Sequence, residues 1–178
     1  MKLYEIDLDY LQYLHEEGDS RVLCHNIHVH TRKFVAVGVL INNHKYYVPL
    51  SSPDKADYVY SGGIKQIRKT KAPTIMRLIE KDQTGNEILL GKLLFNNMIP
   101  VPDSCSKIYN IENENDIRYK NLVEKQVQKI RTSMDEVNSR AYKVYRLKIS
   151  GSNYPYIQNA TVNFPILEQK CSQWNSSL

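Results

Sequence analysis

Long apolar runs are missing from this chain of 178 residues, and none approaches the roughly 18 residues of a bilayer-spanning helix. The opening MKLYEIDLDYLQYLHEEGD carries acids every few residues, which excludes the charge pattern of a secretory leader. A cytoplasmic protein without a membrane is expected. Cysteine is sparse. Cys24, Cys105 and Cys171 are odd in number, far apart and never spaced C-x-x-C, so no disulfide framework is expected and a reducing cytosol suits the chain. G-x-S-x-G, the P-loop, G-x-G-x-x-G and H-E-x-x-H are all absent, which removes the serine-hydrolase, nucleotide-binding and zincin classes. No cofactor is expected.

Phenylalanine and tryptophan are scarce as well, at 3 and 1, but there are 13 tyrosines. A tyrosine can stack on a base while its hydroxyl reaches a phosphate, or it can cap a small core at its edge. For any single tyrosine the second reading is the stronger. Lys plus Arg exceed Asp plus Glu by 24 to 19, a net charge of +5 that points weakly to a polyanionic partner. Hydrophobic residues make up 42%, enough for one packed domain over residues 1–178.

KLYEI reads as a short strand, and DLDYLQYLHEEG as a helix capped by Asp7 or Asp9 and stopped at Gly18. Residues 19–33 form a polar, His-rich loop. KFVAVGVLI and KYYVPL, joined by NNH, read as a hairpin with a central strand; TIMRLIEKD and EILLGKLLF flank QTGN as a second. Between the hairpins, DKADYVYSGGIKQIRKTKAP reads as a loop of unusual length. MIPVP is extended and SKIYNI a short strand. From about residue 115 the chain turns helical, with Leu122, Val123, Val127, Ile130, Met134 and Val137 on one face and a break expected near Asn138-Ser139. GSNYPYI reads as turn and extended chain, NFPILEQKCSQW as a last helix. The fold class expected is α+β: a strongly twisted antiparallel sheet, flanking helices and a helical C-terminal half.

Three constellations carry possible chemistry. Cys24, His25, His28 and His30 lie within seven residues, but no second ligand pair follows, so a solvated loop is expected rather than a metal site. A metal-dependent hydrolase on this loop is the reading that a chelator would test. KQIRKTK puts Lys65, Arg68, Lys69 and Lys71 together, either for phosphate contact or as a solubilising loop. The helical cations Lys120, Lys125 and Arg131 have a charged solvent face as their ordinary explanation. The third is HKYYVPLSSPDK. Pro49 and Pro53 each fix φ near −65° and remove a donor, holding Ser51 and Ser52 beside lysines. An ST-turn is one reading; an anion pocket is the other. A ribonuclease needs little more than such a pocket, because the substrate's own 2′-hydroxyl can attack the phosphorus.

FVAVGVLINNHKYYVPLSSPDK, with KLYEI…YLQYL, MIP and YKNLVEKQVQKIR, resembles the ToxN/AbiQ family of type III toxin–antitoxin endoribonucleases, closest to its AbiQ abortive-infection branch. The similarity runs from Met1 to about Ile149. The resemblance implies a core like the MazF/Kid barrel toxins and metal-independent cleavage leaving a 2′,3′-cyclic phosphate and a 5′-hydroxyl. It also implies a small pseudoknot RNA antitoxin, cut from a tandem-repeat transcript and bound in a closed protein–RNA assembly. Cellular or phage RNA would be the substrate. The family's hydroxyl pair falls on Ser51 and Ser52 and its upstream lysine on Lys33. Its second lysine follows the Ser-Pro directly, where this chain has Asp54, with Lys55 one place on. Tyr10, Tyr46 and His44 are the candidates for removing the 2′-proton. Arg32, Lys45, Tyr46, Tyr47, Lys65, Arg68, Lys69, Lys71, Lys120, Lys125 and Arg131 are the expected RNA contacts. A non-catalytic RNA-binding module with the same surface is the alternative.

Overall fold

The computed structural model describes residues 1–24, 31–151 and 153–175. Strand β1 (Leu3–Ile6) leads into α1 (Leu8–Glu17), which begins where the Asp7 carboxylate accepts the Tyr10 N–H at 3.0 Å. It stops at Gly18, where a Cβ would stand 2.6 Å from the Leu14 carbonyl oxygen. Strands β2 (Phe34–Ile41) and β3 (His44–Ser51) form the first hairpin. Its turn residues Asn42 and Asn43 both have positive φ, 48° and 61°, the handedness that matches strand twist and that asparagine tolerates.

The segment expected as a long loop is folded. After a 3-10 turn at Lys55–Asp57, β4 (Tyr58–Ser61) and β5 (Ile64–Ile67) pair as a separate ribbon, turned by Gly62 and Gly63 at φ 56° and 79°. Each strand has four residues and they are mostly exposed, so there was too little apolar alternation to mark them. β6 (Ile75–Lys81) and β7 (Glu87–Leu94) form the other expected hairpin, followed by β8 (Ile99–Pro100) and β9 (Ser106–Ile108).

Helix α2 (Ile117–Arg131) and α3 (Met134–Ile149) divide at Thr132–Ser133, not at Asn138-Ser139. Asn138 lies inside α3, where its Oδ1 accepts the Gly38 N–H at 2.8 Å. That bond is made at an irregularity in β2: Ala36 pairs with Tyr47 and Leu40 with Lys45, leaving Val37, Gly38 and Val39 opposite Tyr46 alone. Residues 155–157, expected as extended, open the short helix α4 (Pro155–Ala160) with proline at its first turn, and α5 (Phe164–Asn175) closes the fold.

The main sheet has the order β6-β7-β3-β2-β1-β9, with β8 also on β3, and every pairing is antiparallel. Its ends β6 and β9 do not meet, so the sheet is open and not closed into a barrel. Opposite β2, the other edge of β3 changes partner along its length, from β8 at Tyr46–Tyr47 to β7 at Leu50–Ser51. Pro49 falls in the gap between the two, where a missing N–H breaks no bond to either. One core joins α1, α3 and α5 to this sheet, and tyrosines Tyr10, Tyr46 and Tyr47 are fully buried in it.

Candidate active site and basic groove

The partner change of β3 sets up the site. Ser51 lies directly opposite Lys92 of β7, and Lys92 directly opposite Arg77 of β6. Directly opposed residues share a face, so Ser51, Lys92 and Arg77 form a row across three strands. Asp57, 1% exposed, sits against this row. Its Oδ2 accepts from Lys92 Nζ at 2.6 Å and from the Asp54 N–H at 2.9 Å, and its Oδ1 accepts from Arg77 Nε at 3.0 Å and Nη2 at 2.8 Å. Burial pushes the Asp57 carboxyl up, but the Lys92 ammonium, the Asp54 N–H and Arg77 outweigh it and hold it below the usual carboxylate range. Asp54 Oδ2 also meets Lys92 Nζ at 2.6 Å, and this bond holds Asp54 low in turn. The chain leaving Ser52 and Pro53 is therefore tied to the sheet at its first turn.

Of the two hydroxyls, Ser52 is exposed and Ser51 half-buried; the Ser51 hydroxyl makes one long contact, 3.4 Å to the Ser52 carbonyl. The backbone of Lys33 lies against the end of β3, where its carbonyl accepts the Leu50 N–H at 2.8 Å. Its side chain is only 4% exposed, donating to Glu5 Oε1 at 2.7 Å and the Thr31 carbonyl at 3.0 Å, with Nζ 4.1 Å from the centre of the Tyr109 ring. Tyr109 donates to Glu114 at 2.6 Å, and the nearby Tyr119 phenol is pushed up to about 12, by burial first and then by Glu114 and Glu5. Lys55 is exposed and has no ion-pair partner among the described residues.

Three expected proton carriers are displaced from this site. Tyr10 and Tyr46 are fully buried, donating to the Pro100 carbonyl and to Glu168, each at 2.8 Å. Burial, with Cys171 beside Tyr10 and Glu168 beside Tyr46, raises both phenols far above their ordinary value. Neither is a base. His44 starts β3 where Ser51 ends it, about 23 Å away at ~3.3 Å per residue. Its Nδ1–H donates to the Asn42 carbonyl at 2.7 Å, an ordinary turn bond.

The expected RNA contacts divide similarly. Tyr46 and Tyr47 are core residues and offer no face to a base; Tyr47 donates to Ser106 Oγ at 3.1 Å. Lys45 pairs with Asp103 at 3.1 Å, away from Ser51, and burial lowers the pKa of the Arg32 guanidinium, which lines a separate pocket with Arg21 and His15. Lys120 is held by Glu112 at 3.0 Å and Lys125 by Glu80 at 2.6 Å. Arg131 is exposed at the end of α2. Lys65 lies 3.8 Å over the Tyr58 ring, and Lys71 is exposed. Arg68 and Lys69 do converge with other cations. A groove of about 410 Å³ between β6 and the α2–α3 junction is lined by Arg68, Lys69, Arg77, Lys129 and Arg140, with Glu136 the one acid. It shares Ile79 and Lys129 with a second groove of about 610 Å³ that reaches Lys125. Arg77 belongs both to this surface and to the row that ends at Ser51.

Asp57, Lys92, Arg77 and Arg140 were not expected as site residues. A lone lysine in the apolar run LLGKLL and an arginine in IMRLI are the signals that were available; Asp57, in an apparent loop, carried none. Among the described residues no group of three His, Cys, Asp or Glu side chains could hold a metal ion, and no helix is long and apolar enough to cross a membrane. His25, His28 and His30 lie outside the described residues. The three cysteines are free thiols.

Gly91 gives a direct handle on this geometry. A Cβ there would stand 2.8 Å from Gln126 Nε2 and 3.0 Å from the Ser51 carbonyl oxygen, and Gln126 is itself pinned to the Leu90 carbonyl at 2.7 Å. Gly91→Ala should lower stability by about 1–3 kcal/mol and slow any chemistry that uses Ser51. Chemical denaturation beside a cleavage assay reads both; wild-type behaviour in each would remove Gly91 from the site's support.

Against known proteins, residues 2–172 match the family model for the toxin ToxN of the type III toxin–antitoxin system. The endoribonuclease ToxN of Bacillus thuringiensis subsp. kurstaki is 31% identical over 97% of this chain and 84% of its own length. The endoribonuclease ToxN of Pectobacterium atrosepticum is 28% identical over 96% and 91%, and the endoribonuclease AbiQ of Lactococcus lactis subsp. lactis 24% over 98% and 90%. Among solved structures, a type III toxin described with selective inhibition by a non-coding RNA pseudoknot superposes with a TM-score of 0.79 at 30% identity, covering 98% of this chain and 97% of that one. A second, from a bacterial antiviral system regulated by a processed non-coding RNA, gives 0.78 at 27%, over 97% and 98%. The match spans nearly the whole chain, and the chain belongs to the ToxN toxin family of type III toxin–antitoxin systems.

Proposed function

We propose that this chain is an endoribonuclease toxin that cuts RNA by attack of a 2′-hydroxyl on the adjacent phosphorus. The 2′-oxygen bonds to phosphorus as the bond to the 5′-oxygen breaks. The 2′-proton is lost and the 5′-oxygen gains one, leaving a 2′,3′-cyclic phosphate and a 5′-hydroxyl. Ser51 and Ser52 donate to the phosphate oxygens on which charge grows, held by Pro49, Pro53 and the tie to Asp57 so that little reorganisation is needed. Lys33 supplies a fixed positive charge behind the strand end, and Lys55 is the free ammonium for a phosphate. The observation that carries the reading is the row Ser51–Lys92–Arg77, which joins the hydroxyls to the groove of Arg68, Lys69, Lys129 and Arg140. A polyanionic strand in that groove would be led to the serines.

The same groove suits a folded RNA inhibitor. The toxin would process this pseudoknot from a repeated transcript and be held by it in a closed assembly; the solved relatives described with non-coding RNA support this. No step above runs through a metal ion. Cleavage by the purified protein should therefore persist in excess EDTA, and a single 2′-deoxyribose at the cut position should abolish it. Cleavage of the deoxy substrate, or its loss in EDTA, would rule the mechanism out.

A further inference from the structure

Lys92 is an ammonium beside Ser51 whose counter-ions differ in kind. Asp57, fully buried, is also held by Arg77 and by the Asp54 N–H. Asp54 has a side chain 59% exposed. Both carboxylates lie 2.6 Å from Lys92 Nζ. An ammonium has three N–H donors, and these two bonds take two of them. The third has no partner among the described residues.

We propose that Asp54 is an internal stand-in for the RNA phosphate: it neutralises Lys92 in the free protein and is displaced when a phosphodiester reaches Ser51. The inference rests on the ribonuclease reading and adds a residue that sets affinity for the substrate backbone. Asp57 keeps Lys92 in place throughout, since its remaining partners Arg77 and the Asp54 backbone do not depend on the Asp54 carboxylate. A phosphate oxygen can replace a carboxylate oxygen on an ammonium with the same short, charge-assisted bond. Because Asp54 occupies the position first, part of the attraction between Lys92 and RNA is cancelled in advance.

Asp54→Asn tests this with little disturbance, because the retained amide oxygen can still accept the Ala56 N–H, now 2.7 Å from Asp54 Oδ1. The probe is a mixed-sequence single-stranded 2′-O-methyl RNA, which cannot be cut through its 2′-oxygen. The variant should bind it roughly threefold to tenfold more tightly than the wild type, the scale of one ion pair whose carboxylate is open to solvent, Lys92 itself being 7% exposed. Its salt dependence should steepen by up to about 0.7 log units per tenfold salt, the value for one more phosphate neutralised on a single strand. Glu17→Gln, which removes an equal charge from α1 where Glu17 meets Lys170, should move neither quantity. In a Lys92→Gln background Asp54→Asn should have no effect. An Asp54→Asn protein with wild-type or weaker affinity and an unchanged salt slope overturns the inference while leaving the ribonuclease reading intact. A wild-type protein that binds no RNA overturns both.

Discussion

Ser51→Ala and Ser52→Ala should each cleave RNA about a hundred- to a thousandfold more slowly than the wild type, the effect of removing one donor worth ~2.7–4 kcal/mol from a transition-state oxyanion. The fold should be indifferent to either change. Ser52 is exposed, and the Ser51 hydroxyl contributes a single 3.4 Å contact to the next carbonyl. Growth arrest on expression should be lost with the activity. Ser51→Thr, which keeps a hydroxyl at the end of β3, should retain most of the rate. Single-turnover cleavage and thermal unfolding of the same preparations separate the two effects. A double alanine variant that cleaves at the wild-type rate would remove the serines from the chemistry.

Asp57→Asn has the largest effect expected on stability, a loss of about 3–5 kcal/mol, because it leaves the buried Arg77 beside a neutral group and Lys92 with only the exposed Asp54 carboxylate. Its pH dependence follows from the depressed carboxyl of the folded state. Stability gained from a lowered carboxyl is complete above the unfolded value of about 3.9 and disappears as pH falls through the folded one. The difference between wild type and Asp57→Asn should therefore be constant from neutral pH down to about pH 4 and shrink below it. Denaturant titration at several pH values measures it. A difference that varied between pH 5 and 8 would mean that another group dominates the cluster.

The hairpins, α1 and the helical second half were legible because their apolar residues recur at strand or helix spacing and their turns carry Asn-Asn, Gly or an Asp cap. The β4–β5 ribbon was not, since it stands outside the main sheet and has little apolar face to bury. The α2–α3 break was misplaced because Thr132–Ser133 contains neither Gly nor Pro, while Asn138, a residue common at helix ends, instead binds Gly38 from inside α3. In the site, Ser51 and Ser52 stood out locally because two prolines bracket them. Lys92, Arg77 and Asp57 depend on a pairing between β3 and β7 residues about forty positions apart, which no local pattern encodes. Tyr10 and Tyr46 pose a simpler difficulty: a tyrosine that ends a core and a tyrosine that handles protons are the same letter, and the structure buries both.

In the proposed reaction the 2′-oxygen of the substrate makes the new bond to phosphorus beside Ser51 and Ser52. Mass spectrometry of the fragments from a defined RNA, cut by the purified protein in EDTA, reads that bond directly. The expected upstream fragment ends in a 2′,3′-cyclic phosphate, and the downstream one begins with a 5′-hydroxyl. Fragments carrying a 5′-phosphate and a free 3′-hydroxyl would contradict the mechanism, and an RNA bound but never cut would leave only the RNA-binding module.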